Sequence, residues 1–429
     1  MSQLTSEIKR TERTLLVTTK LDADKSTWQP QDLEEELMEL TQTSGAEVTE
    51  HIICHRDKPA PGLYIGSGKT EEIAALCEEA SIDTVIFNND LSGSQQRNLE
   101  EIINKKTIDR TQLILDIFAR HAHSPEASLQ VELAQLEYLL PRLTGKGIML
   151  SRLGGGIGTR GPGEKKLEID RRKIHRRITK LKQDLEMVRL RRNSLRKQRR
   201  ESCLATVSLV GYTNAGKTTL LNILTNEDQL VRESLFTTLD TISRAFKLPN
   251  HQKIVISDTV GFLQNLPHRL IEAFKATLEE VKESDLLIHV LDISHPKAYE
   301  RNTAVWSVLK ELGADQKPLI TTLNKIDKLP DRDWINRYKQ DFANSVAISA
   351  KTKENLDQFL KAIEDELKSL FLSVELCLPI DAMSLVDLIY REGQVKLINY
   401  TEKGIFIQAN LPAVTASKLS SYIKPNQNS

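Results

Sequence analysis

The sequence predicts an α/β protein in four parts: a small N-terminal α/β domain, an antiparallel coiled-coil hairpin, a central parallel-sheet domain and a small C-terminal α+β domain. Three observations predict it. Strand-like and helix-like patterns alternate over most of the chain, as they do where helices cover a parallel sheet. A heptad of apolar residues interrupts that alternation between about 125 and 200. Beyond it stands a strand–loop–helix unit whose loop, Gly211–Thr218, fits G-x-x-x-x-G-K-[ST] without mismatch. The expected boundaries are 1–124, 125–200, 201–371 and 372–429.

In the first part, Thr14–Thr18, Val48–Ile53 and Thr84–Phe87 are expected strands. Gln31–Leu40, Glu71–Glu79 and Gly93–Asn104 are expected helices. Thr111–Asp116 fits a further strand or the start of a helix. No catalytic constellation stands out here. The run Gly66-Ser-Gly68-Lys69-Thr70 ends like a phosphate loop, but the required first glycine falls on Leu63. It is expected to be a strand-to-helix turn, able at most to hold an anion at the following helix.

In the second part, Leu129, Leu133, Leu136, Leu140 and Leu143 step by threes and fours, as do Leu167, Ile174, Ile178, Leu181, Leu185, Val188 and Leu195, with Arg171 and Arg192 at the interrupting seam positions. Two such seams joined by a loop predict the hairpin. The second arm, roughly 165–200, is longer than the first, so part of its seam must pack elsewhere. The whole chain has equal numbers of acidic and basic residues, yet 160–200 holds 17 Lys and Arg against 5 Asp and Glu. So basic a block on an otherwise acidic chain points to a polyanion, and nucleic acid is the expected partner. The tip, Gly154–Gly163 with Arg152 and Arg160 around it, contains G-x-G-x-x-G. No strand precedes it, so a dinucleotide site is excluded.

In the third part, the β-branched run Ala205–Val210 reads as a strand and Thr219–Leu224 as a helix. Between them Gly211, Tyr212, Thr213, Asn214, Ala215 and Gly216 can curl so that backbone N–H groups face phosphate oxygens. Lys217 reaches the outer phosphates, and Thr218 offers a hydroxyl to Mg²⁺, with Thr219 beside it. Asp258, Thr259, Val260 and Gly261 close the strand-like Lys253–Ser257. Asp258 can hold Mg²⁺ through water, and the Gly261 N–H can sense the γ-phosphate. Asn324, Lys325 and Asp327 follow the strand-like Leu319–Leu323. The Asp327 carboxylate can accept both guanine N1–H and the 2-amino group, neither of which adenine offers. Ser349, Ala350 and Lys351 end Ser345–Ile348, with a backbone placed for guanine O6. Four motifs in order, each at a strand end, predict a P-loop GTPase domain. Switch I falls in Phe236–Asp240, where Thr238, with Thr237 as the alternative, is expected to close over Mg²⁺ and the γ-phosphate. Phe262 stands where many small GTPases place a water-orienting glutamine. Slow intrinsic turnover is therefore expected, helped by a partner or by a K⁺ ion beside Asn214.

The fourth part reads strand, helix, strand, strand, helix, with no chemistry of its own. No apolar run approaches the ~20 residues that span a bilayer, and the polar N-terminus lacks a signal-peptide pattern. Cys54, Cys77, Cys203 and Cys377 are scattered, which fits free thiols in a reducing compartment. The expectation is a cytoplasmic monomer away from membranes, with Mg²⁺ as its metal.

Together these parts resemble the HflX family, ribosome-associated GTPases of the Obg–HflX group. The resemblance is carried by Asp116–Ala119 with Leu129–Leu136, by Gly154–Gly163, and by Asp258–Phe262 with Leu266-Pro267-His268. Two departures are visible: Lys165 stands where the family often has threonine, and Thr241 where it often has proline. The resemblance implies binding to the large ribosomal subunit, with the hairpin tip reaching toward the peptidyl-transferase centre, and the separation of stalled or idle ribosomes into subunits. Two other readings stay open. One is a GTP-regulated ribosome assembly or tethering factor whose hydrolysis is incidental. The other is a GTPase coupled to RNA modification, for which no nucleophile site is evident.

Overall fold

A computed structural model describes residues 11–22, 28–143, 162–201, 204–225, 235–236, 242–264, 267, 275–401 and 404–423. The chain forms two compact units. The first is Met1–Glu186 with Arg232–Leu239 and Leu266–Phe274, and the second is the remainder.

The first unit begins with β1 (Arg13–Leu21), α1 (Pro30–Thr43), β2 (Glu47–Arg56), α2 (Ser67–Glu79), β3 (Thr84–Phe87), α3 (Gly93–Ile103), β4 (Lys106–Asp109), α4 (Arg110–His121) and α5 (Pro125–Leu139). The strands form one parallel sheet in the order β2-β1-β3-β4. Leu15, Leu16 and Val17 are all fully buried. Consecutive apolar residues, rather than alternating ones, are what a sheet covered on both faces requires.

Side-chain caps set where helices begin. Ser92 Oγ accepts the Gln95 N–H at the start of α3, and the Gln95 side chain returns a bond to the Ser92 N–H. Asp109 does the same job for α4, accepting the Gln112 N–H at 2.9 Å. That cap decides the ambiguous run Thr111–Asp116, which is helix. The short β4 just before it was not legible, because Lys106-Thr-Ile-Asp109 holds a single apolar residue. Of Gly66–Thr70, read as a strand-to-helix turn, only Gly66 precedes α2, and Ser67–Thr70 form its first turn, with Lys69 paired to Glu72 at 2.6 Å.

A long helix, α6 (Pro162–Glu201), packs on α5. Leu133, Ile178 and Leu181 are buried in the seam, flanked by Leu129, Leu136, Leu140, Ile174 and Leu185. Arg177 forks onto Glu132 with two 2.6 Å bonds, and Lys182 meets Glu137 at 2.8 Å. The expected apolar seam between the two helices is therefore present. Its tip, including Arg152 and Arg160, lies outside the described residues.

The base of the hairpin is fixed by a buried polar cluster. Asp109, fully buried, accepts a 2.8 Å bond from the Tyr138 hydroxyl and pairs with Arg142 at 2.9 Å. Burial raises the Asp109 pKa, and the helix cap, Tyr138 and Arg142 oppose that rise. One carboxylate thus caps α4 and holds the end of the first arm.

The second unit contains β5 (Ala205–Gly211), α7 (Lys217–Thr225), β6 (Ile242–Lys247), β7 (Lys253–Asp258), α8 (Lys275–Glu283), β8 (Leu286–Asp292), α9 (Ala298–Glu311), β9 (Leu319–Asn324), α10 (Asp333–Asp341), β10 (Ser345–Ala347) and α11 (Leu356–Leu370). The six strands run β10-β9-β8-β5-β7-β6, all parallel except the edge strand β6. Val207, Leu209, Ile254, Ile256, Leu286, Ile288 and Val290 form the core of one face. Within this unit Arg189 of α6 pairs with Glu279 of α8 at 3.4 Å, so the longer arm does find a second partner.

The unit ends with β11 (Phe371–Leu378), α12 (Met383–Glu392), β12 (Gln394–Thr401), β13 (Gly404–Pro412) and α13 (Ala413–Lys418). Its sheet is antiparallel, β11-β13-β12, and the element order is the expected one.

Candidate functional site

The site lies where β5, β7, β9 and β10 end. In a parallel sheet these carboxyl ends share one edge, so loops far apart in sequence converge there. Gly211 closes β5 and the loop runs to Lys217, the first residue of α7. Gly216 has φ of +99°, and a Cβ there would strike Asn324 Nδ2. Glycine is needed both for the turn and for the approach. Asn214 also takes a left-handed conformation, φ +59°.

Lys217 is 6% exposed, and its Nζ donates to the carbonyls of Tyr212 (2.9 Å) and Gly211 (3.2 Å). Burial pulls its pKa down to about 8, and the nearby Asp258 partly opposes this. Anionic phosphates in the same loop would restore the charge. The Thr218 hydroxyl donates to Asp258 Oδ2 at 2.7 Å. A hydroxyl and a carboxylate at this distance are a hard-oxygen pair of the kind Mg²⁺ uses. The Thr213 hydroxyl is buried and has no hydrogen-bond partner, leaving a polar atom in the loop for a ligand to satisfy.

The β7 loop is laced to the β5 loop. Thr213 N–H donates to the Phe262 carbonyl (2.9 Å), and Phe262 N–H donates to the Gly211 carbonyl (3.1 Å). Thr259 Oγ1 donates to the Leu209 carbonyl at 2.6 Å, and Val260 is buried. A Cβ at Gly261 would lie 2.9 Å from Thr213 Cα and 3.2 Å from Lys217 Nζ. No larger residue fits between them. The Phe262 side chain is 1% exposed and packs into the protein, so it has no means of directing water.

Asn324 holds two loops together. Its Nδ2 donates to the Ala215 carbonyl (2.8 Å), and its Oδ1 accepts the Ala350 N–H (3.0 Å). Lys325 reaches back to the Asn214 carbonyl (2.8 Å) and pairs with Asp292 (2.6 Å). Ser349 Oγ donates to Asp327 Oδ1 at 2.6 Å and accepts the Thr352 N–H at 3.1 Å. Asp327 is otherwise exposed, with a carboxylate oriented by one hydroxyl, and Lys351 is exposed beside it. The sheet thus brings together the phosphate-loop, β7, β9 and β10 motifs. Thr237 and Thr238 lie outside the described residues.

Two residues at the site escaped sequence reasoning. Asp292 ends β8 and clamps Lys325, and its only sequence signal was an acid after an apolar run. His289, in mid-β8, is fully buried with both ring nitrogens unpartnered. Burial and the nearby Lys217 bring its pKa down to about 4.

Comparison with known proteins follows the same division of the chain. Residues 31–119 match the family described as GTP-binding GTPase N-terminal, and 121–199 the GTP-binding GTPase middle region. Residues 206–325 match the 50S ribosome-binding GTPase family, and 335–425 the HflX C-terminal domain. GTPase HflX of Caldanaerobacter subterraneus subsp. tengcongensis is 45% identical over 92% of this chain and 91% of its own. The chain belongs to the HflX family of GTPases. GTPase HflX of Escherichia coli is 39% identical over 91% of this chain and 93% of its own. Membership in the HflX family makes the protein an enzyme that hydrolyses GTP, on a mixed α/β fold with a P-loop GTPase domain. Among the described residues no helix is long and apolar enough to cross a membrane.

Proposed function

We propose that the protein is a GTP-driven factor that binds the large ribosomal subunit through its basic hairpin and separates stalled or idle ribosomes into subunits. The observation that carries this reading is the surface of α6. Arg171, Arg176 and Lys180 are exposed and make no ion pair among the described residues, while Arg177 and Lys182 are spent on the seam. Free cations along a long helix suit a phosphate backbone. The match of 206–325 to ribosome-binding GTPases points to the same partner.

In the nucleotide site, backbone N–H groups from Gly211 to Thr219 cradle the phosphates. Lys217 exchanges its carbonyl bonds for the outer phosphate oxygens. Thr218, Asp258 and Thr238 supply the oxygens for Mg²⁺, whose contribution when bound is to offset charge that develops between the β- and γ-phosphates. Asp327, steadied by Ser349, accepts the two guanine donors, while Asn324 and Ala350 hold the base pocket together. The Gly261 N–H marks the γ-phosphate, so loss of that phosphate frees the β7 loop. With Phe262 buried, its side chain does not align water, and ribosome binding completes the hydrolytic site. A K⁺ ion beside Asn214 would serve the same end. Equal turnover in K⁺ and Na⁺ would rule that ion out.

The deciding experiment measures GTP turnover alone and with purified large subunits, with ATP as control. GTP-specific stimulation supports the reading and leads to subunit-splitting assays. Tight GTP binding without stimulation sets the ribosomal partner aside. Thr218→Ala or Asp258→Ala variants that split ribosomes without hydrolysis would favour the tethering reading.

A further inference from the structure

Tyr212 follows Gly211 in the phosphate loop, yet its side chain makes its contacts elsewhere. The residue is 3% exposed. Its hydroxyl oxygen accepts the Gln264 N–H at 2.9 Å, two residues past Phe262. The Arg301 guanidinium of α9 lies over the ring, 4.9 Å from the centroid. All of these residues belong to the second compact unit. The backbone of Tyr212 adds a further tie. Leu209 pairs with Asp258 at the end of the β5–β7 ladder, and Tyr212 pairs with Phe262 beyond it. Val210 and Gly211 thus stand opposite Thr259, Val260 and Gly261. One strand carries an extra residue there, and the excess has to bow out of the pairing. Gly261 lies in that bow. On its near side Thr259 is bonded to the Leu209 carbonyl. On its far side the chain is held by the two Phe262 backbone bonds and by the Tyr212 hydroxyl.

We infer that Tyr212 is a positioning residue for γ-phosphate recognition: its hydroxyl, on a ring held by Arg301, clasps the far side of the bowed β7 loop and keeps the Gly261 N–H aimed into the phosphate loop. The inference rests on the assignment of Gly261 to the γ-phosphate. A bow fastened on one side only has many conformations, and a ligand that needs one of them must meet the cost of ordering it. A clasp on the second side removes that cost before the nucleotide arrives. GDP has no γ-phosphate and does not call on Gly261, so the clasp is felt in the preference for GTP over GDP. When the γ-phosphate leaves, Gly261 loses its partner while Phe262 and Gln264 stay fixed. The loop then relaxes within the bow and is quickly engaged again by a new GTP. Arg301 touches the ring and not the nucleotide motifs, so it acts through Tyr212.

The test uses the full-length chain and compares Tyr212→Phe, Arg301→Met and the double variant. Each is measured for thermal melting, for affinity to GDP and to a non-hydrolysed GTP analogue, and for hydrogen exchange of residues 259–264. Tyr212→Phe keeps the ring and the backbone and leaves the Gln264 N–H without its acceptor. Analogue affinity should fall about tenfold relative to GDP affinity. Exchange of 259–264 with GDP bound should quicken. Arg301→Met should lower the same ratio about threefold. The double variant should lose no more than Tyr212→Phe, because Arg301 works through that hydroxyl. If Tyr212→Phe fails to fold, Arg301→Met carries the test. An unchanged ratio in the folded variant overturns the inference, as do equal losses for both nucleotides or single losses that multiply. In the parent, 259–264 should exchange more slowly with the analogue than with GDP. Equal exchange there would overturn the Gly261 assignment itself. Slower exchange in the parent beside a normal ratio in Tyr212→Phe would overturn the clasp alone.

Discussion

In the proposed nucleotide site Asp327 sets the choice of base, and its geometry would make that choice reversible. The carboxylate offers two acceptors and is oriented by Ser349 at 2.6 Å. In Asp327→Asn one acceptor becomes a donor. Guanine then meets a mismatched amide, while xanthine, with a C2 carbonyl beside N1–H, meets a matched one. We expect GTP affinity to fall by about 3 kcal/mol, roughly a hundredfold, and xanthosine triphosphate to be hydrolysed in its place. Competition of the two nucleotides against labelled GDP measures both effects. His289 makes a different prediction. Its folded pKa, about 4, lies below the ordinary value because the ring is buried beside Lys217. The unfolded chain takes up that proton first, so stability falls as pH drops through about 6.5 and levels off below about 4. Replacing His289 with leucine should remove about 2 kcal/mol of the stability lost between pH 8 and pH 5. Denaturant titrations of both proteins at the two pH values check this. The P-loop residues and Asp327 were legible because their spacing is rigid. Asp292 and His289 were not, because one acid after a strand and one histidine inside it carry no spacing.

At the scale of elements, α6 presents two different faces. Ile174, Ile178 and Leu181 hold it to α5, while Arg171, Arg176 and Lys180 face outward. Reversing those three cations to glutamate should weaken binding to ribosomal RNA and flatten its salt dependence by about three contacts. GTP affinity should not change. Filter binding across a salt series, with GDP titration as control, reads both. Collapse of GTP affinity with ribosome binding intact would make α6 a structural element and remove the proposed interface. The heptad exposed this helix in the sequence. The division of its cations between seam and solvent followed only from the pairing of Arg177 with Glu132 and Lys182 with Glu137. The strand β4, with one apolar residue among its four, gave no comparable signal.

For the molecule as a whole, a GTP-controlled ribosome factor must obey linkage. If GTP raises affinity for the large subunit by some factor over GDP, the subunit must raise the preference for GTP over GDP by the same factor. A coupling of about 1–3 kcal/mol would appear as roughly 5- to 150-fold in both directions. Measuring ribosome affinity with a non-hydrolysed GTP analogue and with GDP, then nucleotide affinity with and without subunits, tests the equality. If nucleotide does not alter ribosome affinity, the switch reading fails, however fast the turnover.

The sequence by itself determined the enzyme class, the order of the parts and the motifs proposed to meet the nucleotide. Those features rest on local chemistry: glycines at fixed steps, apolar heptads, and acids at strand ends. Only the tertiary structure decided that Asn324 joins the Ala215 and Ala350 loops, that Asp109 caps α4 while gripping Tyr138 and Arg142, and that Phe236 seats against Phe118. Each of these joins residues far apart in the chain. No periodicity records such a contact, because it exists only once the sheets and helices have folded their distant segments together.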